Sequence, residues 1–244
     1  MNVEAVLFDV DFTLCRPGPE LRPAAYARQG RRFGLELDPN RFEPSREAAF
    51  GELKRRPDLS HDDELWISFS EQIIRGMGGE GEGARALAET MVQAWERAEH
   101  FELYDDVLPI LSELRRSGIR LGLISNTGRD LEAFVRHHRL EVDAVLGSRE
   151  HGKSKPDPSI FSAALELLAC EPDRAAMVGD SLEDDIEGAR LLGMRAFLVD
   201  RDGRFLQHAD RIADLYGLPA ALGLDDAKKR EERPESVCEG GSSR

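Results

Sequence analysis

Acidic and hydroxyl residues recur in this chain where short apolar runs end. Residues 3–8 (VEAVLF) stop at Asp9-Val10-Asp11-Phe12-Thr13. Residues 120–125 (RLGLIS) stop at Ser125-Asn126-Thr127, and residues 175–180 (AAMVGD) at Gly179-Asp180-Ser181, with Asp184 and Asp185 close behind. Carboxylates gathered in one place repel and raise each other's pKa unless a cation neutralises them. Oxygen-only ligands select a hard metal, and Mg²⁺ suits a site with few carboxylates and a phosphate. Asp9 and Asp180 are the candidate carboxylate ligands. A carboxylate can also attack phosphorus and carry the group as an aspartyl phosphate. A second carboxylate can then act as acid on the leaving oxygen and as base on the attacking water. Asp9 and Asp11 have the right types and spacing for this pair. Phosphoryl oxygens further need donors and positive charge. Ser125 with its neighbouring amides, and Lys153 or Lys155 in Gly152-Lys-Ser-Lys-Pro-Asp-Pro158, can supply them. Pro156 and Pro158 stiffen that loop and set up a helix start.

These groups are far apart in sequence, so a sheet must bring them together. The runs at 3–8, 120–125, 144–148, 175–180 and 195–200 read as strands buried on both faces. Helical patterns lie between them at 106–116, 130–138, 159–169 and 184–192. In 159–169, Ile160, Phe161, Ala164, Leu165 and Leu168 share one face, and Gly118 follows 106–116 as a C′ glycine. Alternating strands and helices imply a doubly wound, Rossmann-like parallel sheet. Ligands bind such sheets at the carboxyl ends of the strands, where the polar clusters fall. The rhythm breaks between residues 16 and 99, which read as helices at 23–33, 45–55, 62–77 and 83–98. Leu65, Phe69, Ile73 and Met77 mark the third, and the glycine-rich stretch 76–83 reads as a flexible connection. The expected organisation is an α/β core of residues 1–15 and 100–224, an inserted all-helical domain of 16–99, and a disordered tail of 225–244.

Composition narrows the partners. The 244 residues carry 33 Lys+Arg and 47 Asp+Glu, a formal charge of −14. Such a surface disfavours nucleic acid. No run approaches the roughly 20 apolar residues of a membrane span, and the N-terminus lacks the basic region of a signal peptide. Cys15, Cys170 and Cys238 are scattered and odd in number, which fits a reducing cytoplasm better than a disulfide framework. A small phosphorylated metabolite and a monomer or homodimer are the expectation.

Four motifs, in order, carry a resemblance to the haloacid dehalogenase-like (HAD-like) hydrolases. Asp9-Val-Asp11-Phe-Thr13 matches D-x-D-x-T, and Ser125 in LISNT matches the Ser or Thr ending the second strand. Lys155 matches the lysine of K-P-D-P, and Gly179-Asp180-Ser181 with Asp185 matches the fourth motif. The match runs from Val3 to about Asp202, and the insertion looks like the family's helical cap of the first type. The resemblance implies that Asp9 is nucleophile and Mg²⁺ ligand. Asp11 is then acid/base and lends its backbone carbonyl to the metal. Ser125, Asn126 and Lys155 bind the phosphoryl group, and Asp180 ligates the metal. Thr13, Ser181 and Asp185 support the site, Asp185 at the metal's water shell or the lysine. The family most often has Gly where this chain has Phe12. Its dehalogenase branch lacks the second aspartate, so Asp11 favours phosphate-ester hydrolysis.

Plainer readings cover the remaining candidates. Asp184 reads as a helix N-cap, Lys153 as a solvated lysine, and His61, His137 and His138 as surface residues. Trp66, Phe69 and Ile73 read as core of the insertion, and Cys15 as a small apolar filler. Arg16 and Arg22 could reach a substrate anion. Two rivals stand beside the phosphomonoesterase: a phosphomutase or phosphotransferase using the same aspartyl phosphate, and a non-catalytic regulatory protein on the same scaffold.

Overall fold

The computed structural model describes residues 3–53 and 63–224. Six parallel strands form one sheet, in the spatial order 144–147, 120–125, 5–8, 175–179, 195–199 and 211–212. They are β1 (Ala5–Phe8), β4 (Arg120–Ser125), β5 (Ala144–Gly147), β6 (Ala175–Gly179), β7 (Arg195–Val199) and β8 (Arg211–Ile212). Of the five predicted strands only 120–125 keeps its bounds; the other four are one or two residues shorter in the structure, and β8 escaped the sequence because two residues show no period. β1 lies centrally, Phe8 level with Leu123 of β4 and Val178 of β6. This register sets Asp9 beside the end of β6, and the Asp9 amide donates to the Val178 carbonyl.

Alternate strand residues feed two apolar cores. Val6, Phe8, Leu121, Leu123, Ala176 and Val178 face one side, where Ile110, Leu111 and Leu114 of α5 (Val107–Arg116) cover them. Ala5, Leu7, Ile124, Ala175, Met177 and Leu198 face the other, under Ile160, Phe161, Ala164 and Leu165 of α8 (Pro158–Leu167). This is the period-2 alternation of a sheet wound on both faces. Gly122 in β4 belongs to this packing, because a Cβ there would press on Leu7 and Leu168. The remaining core helices are α6 (Leu131–His138), the one-turn α7 (Ser148–His151), α9 (Gly188–Leu191) and α10 (Leu218–Leu222). The helix read at 184–192 begins as a π-helical segment, Leu182–Glu187, ahead of α9. There the Ile186 amide reaches back to the Ser181 carbonyl.

The helical insertion is α1 (Pro23–Gly30), α2 (Phe42–Leu53), α3 (Asp63–Gly76) and α4 (Glu82–Trp95). The stretch 76–83, read as flexible, is packed: Met77 and Gly79 are buried, and the Met77 carbonyl accepts from the Asp38 amide. The joints of the insertion form an antiparallel ribbon of β2 (Cys15–Pro17) and β3 (Phe101–Leu103), each too short to show a period in the sequence. Arg16 and Arg22 both pair with Glu102, at 3.3 and 2.8 Å, so they clasp this ribbon instead of facing a substrate. Cys15 is fully buried, as a filler should be, and burial with the Asp11 charge pushes its thiol pKa up. Among the described residues no helix is long and apolar enough to cross a membrane. The tail 225–244, Cys238 and His61 lie outside the described residues.

Candidate active site

Asp9 leaves the carboxyl end of β1, Asp180 that of β6 and Ser125 that of β4, so the parallel sheet delivers all three to one edge. Lys155 enters from the loop before α8. Its Nζ donates to Asp9 Oδ1 and to Asp185 Oδ1, both at 2.6 Å. The lysine is 4% exposed and Asp185 1%, so this is a dry ion triad. Burial disfavours the Lys155 charge, but Asp185 and Asp9 outweigh it and raise its pKa. Burial also pushes Asp9 up, against the pull of Lys155 and with the repulsion of Asp185 and Asp180 added. Asp180 is pushed up to about 7 by burial first and the Asp185 charge second.

One lysine does not balance this group. Asp9, Asp180 and Asp185 each bring a carboxylate oxygen within 4.8 Å of the others. The buried Oδ2 of Asp9 has no hydrogen-bond partner. Crowded carboxylates, a carboxylate oxygen lacking a partner and oxygen-only donors fit a hard divalent cation.

Short-range bonds set the supporting residues. Asn126 Nδ2 donates to the Lys155 carbonyl at 2.9 Å, and Asn126 Oδ1 accepts from the Lys155 amide at 2.8 Å. The structure thus places this side chain on the lysine's backbone, where it braces the cation. Lys153 pairs with Asp157 at 3.0 Å, and Asp157 caps α8 through the Ser159 amide. Bonds from Ser159 and from Lys153 push Asp157 down to about 2. The N-cap of the π-helical segment is Ser181, whose Oγ accepts from the Asp184 amide; the sequence reading had given that role to Asp184. The Ser181 amide donates to Asp185 Oδ2, so Asp185 is held by both oxygens. Gly179 is required beside it, since any Cβ would strike the Asp185 carboxylate. Ser125 and Thr13 are buried, and Thr13 Oγ1 has no partner.

Residues 9–15 turn back sharply. Phe12 sits at φ 65°, the left-handed region in which a side chain costs about 1–2 kcal/mol. That is the physical reason a glycine suits this position. The Arg46 guanidinium of α2 lies 5.5 Å from the centre of the Phe12 ring. Ile73 is core of the insertion as expected, but Trp66 stands beside Gly128 in the loop after β4. His138 is half-buried rather than superficial, with Nε2 3.2 Å from the Ala98 carbonyl.

The sequence reading missed Arg129. It is 2% exposed, donates to Asp11 Oδ1 at 2.7 Å through one terminal nitrogen and to the Trp95 carbonyl at 3.2 Å through Nε. Nothing in the sequence separates it from other loop arginines.

The haloacid dehalogenase-like hydrolase family model matches residues 3–193. The chain belongs to that family. It is 34% identical over 229 residues to a phosphoserine phosphatase of Thermus thermophilus, covering 82% of this chain and 89% of that protein. It is 31% identical over 252 residues to an N-acylneuraminate-9-phosphatase of Mus musculus, covering 93% and 96%. A solved HAD phosphatase from Thermococcus onnurineus superposes with a TM-score of 0.61 at 28% identity, covering 91% of this chain and 98% of the other.

Proposed function

We propose that this HAD-like hydrolase is a Mg²⁺-dependent phosphomonoesterase that cleaves a small phosphorylated metabolite through an aspartyl phosphate on Asp9. One observation carries the reading: three carboxylates crowd a single buried lysine at the sheet edge, and Asp9 Oδ2 has no partner. Relatives named as phosphatases support the reaction class. Asp9 and Asp180, with the Asp11 backbone carbonyl, would hold the cation. When bound, it neutralises the carboxylates and draws charge from the phosphoryl oxygens.

Asp9 attacks phosphorus as the ester P–O bond breaks, and Asp11 gives a proton to the departing oxygen. Water then attacks the phosphoryl group on Asp9. Asp11 takes the proton of that water, and the P–O bond electrons return to the Asp9 carboxylate. Lys155 and Ser125 hold the phosphoryl oxygens, with Asp185 and Asn126 fixing the lysine. The helical insertion acts as a cap domain over residues 16–99, and its side chains choose among small esters. Turnover of an aryl phosphate and of a panel of phosphorylated metabolites, each with and without Mg²⁺, tests this. No Mg²⁺-dependent release of phosphate from any of them would reject it.

A further inference from the structure

Among the described residues, Arg129 is a buried cation that the triad does not use. Its loop is pinned on all sides: the Arg129 amide donates to Thr127 Oγ1 and the Thr127 amide to Ser148 Oγ, both at 3.1 Å. The Gly128 carbonyl accepts from Arg149 at 2.6 Å. The guanidinium carbon lies over the Phe101 ring of β3, 3.7 Å from its centre, and 5.3 Å from the centre of the Phe134 ring in α6. From this seat it reaches Asp11 on one side and, on the other, the Trp95 carbonyl at the last residue of α4. Trp95 is itself anchored in the insertion, its Nε1 donating to the Tyr26 hydroxyl at 3.0 Å. A planar fork held by stacking and two acceptors is far stiffer than a free arginine.

We infer that Arg129 is a positioning residue that holds the Asp11 carboxylate in the orientation needed to take a proton from the attacking water, and that it takes its own position from the seated insertion. The inference rests on Asp11 being the base of the second half-reaction. The step concerned begins with phosphate on Asp9. Water oxygen bonds to phosphorus, the P–Oδ bond breaks with its electron pair returning to Asp9, and the water proton passes to the Asp11 carboxylate. What Arg129 supplies to this half is direction, through its 2.7 Å bond to Asp11 Oδ1, since a paired cation does not make a carboxylate a stronger base. Loss of Arg129 therefore slows release of phosphate from Asp9 more than formation of the phosphoenzyme.

The full chain with Mg²⁺ and p-nitrophenyl phosphate, whose leaving group departs with little help, separates the two halves. In a two-step scheme kcat/KM reports phosphoenzyme formation alone, whereas a slower second step lowers kcat and KM together. Arg129→Met should lower both by on the order of tenfold, with kcat/KM nearly unchanged. Acid quenching followed by intact-mass measurement should show a larger phosphorylated fraction than in the parent. Arg129→Lys restores a cation near Asp11 and should recover part of the loss. If the methionine variant does not fold, the lysine variant carries the test, with the same paired fall at a smaller factor. Asp11→Asn is the control and should trap the phosphoenzyme. If it does not, the reading of Asp11 as base fails and this inference with it. If Asp11→Asn traps the phosphoenzyme while a folded Arg129 variant lowers kcat at constant KM, or matches the parent, Arg129 is a structural residue and the inference is overturned.

Discussion

Asp9 has to be both a nucleophile and a neighbour of two other carboxylates. Lys155 at 2.6 Å keeps it serviceable against burial and repulsion. Asp9→Asn keeps the shape and removes the attacking charge, so phosphate release should fall to near background in a protein whose circular dichroism is unchanged. Retention of a tenth of the parent turnover would rule out a covalent step on Asp9. Asn126 tests the lysine's support. Asn126→Ala removes two bonds to the Lys155 backbone, each worth about 0.5–1.5 kcal/mol. The variant should unfold at lower denaturant and show a raised KM. An unchanged KM together with unchanged unfolding would show that the brace is idle.

Two elements position the site by their irregularities. The π-helical segment after β6 turns Asp185 back under Gly179, and that fit leaves no room for a Cβ. Gly179→Ala should cost about 1–3 kcal/mol in urea unfolding. A neutral result would mean that Asp185 can swing away freely. On α6, burial lowers the pKa of His138 below 6.5, with the His137 and Arg129 charges adding to the fall. The native state then binds fewer protons than the unfolded one below pH 6.5, so stability is lost as pH falls through that range. His138→Gln should flatten this limb of the stability profile as pH falls below about 6.5. An unaltered limb would place the titration elsewhere.

At the scale of the molecule, charge and insertion act together. The carboxylate cluster sits in a chain with a formal charge of −14, and a divalent cation relieves the crowding where it is densest. Chelation should abolish turnover, and Mg²⁺ should restore it and raise the melting temperature through binding to the folded state. Activity that survives exhaustive chelation would remove the metal from the reaction. The insertion shares one continuous apolar core with the α5 face of the sheet, running through Leu14, Cys15 and Phe101. Arg149 adds an ion pair to Glu96 at 3.7 Å. The insertion is therefore coupled to the loop after β4 by several independent contacts, Trp66 and Trp95 among them.

Five of the six strands of the main sheet, their parallel order of winding and the polar residues where they end were legible in the chain itself. Their signals are local: apolar runs of strand length, a 3.6-residue period in 159–169, and polar clusters where the runs stop. Asp9, Asp180 and Ser125 could be named from such signals because a parallel sheet must carry its strand ends to one side, whereas Lys155 is told from Lys153 only by the resemblance of K-P-D-P to the family motif. The β2–β3 ribbon, β8 and the π-helical segment could not, since two or three residues display no period. Nor could the partners of side chains. Whether Asn126 meets substrate or backbone, whether Arg16 and Arg22 face a ligand or Glu102, and whether a loop arginine lies buried against Asp11 depend on distances of a few ångströms between distant segments. Those distances are set by how the insertion and the sheet pack together, and no short stretch of sequence encodes them.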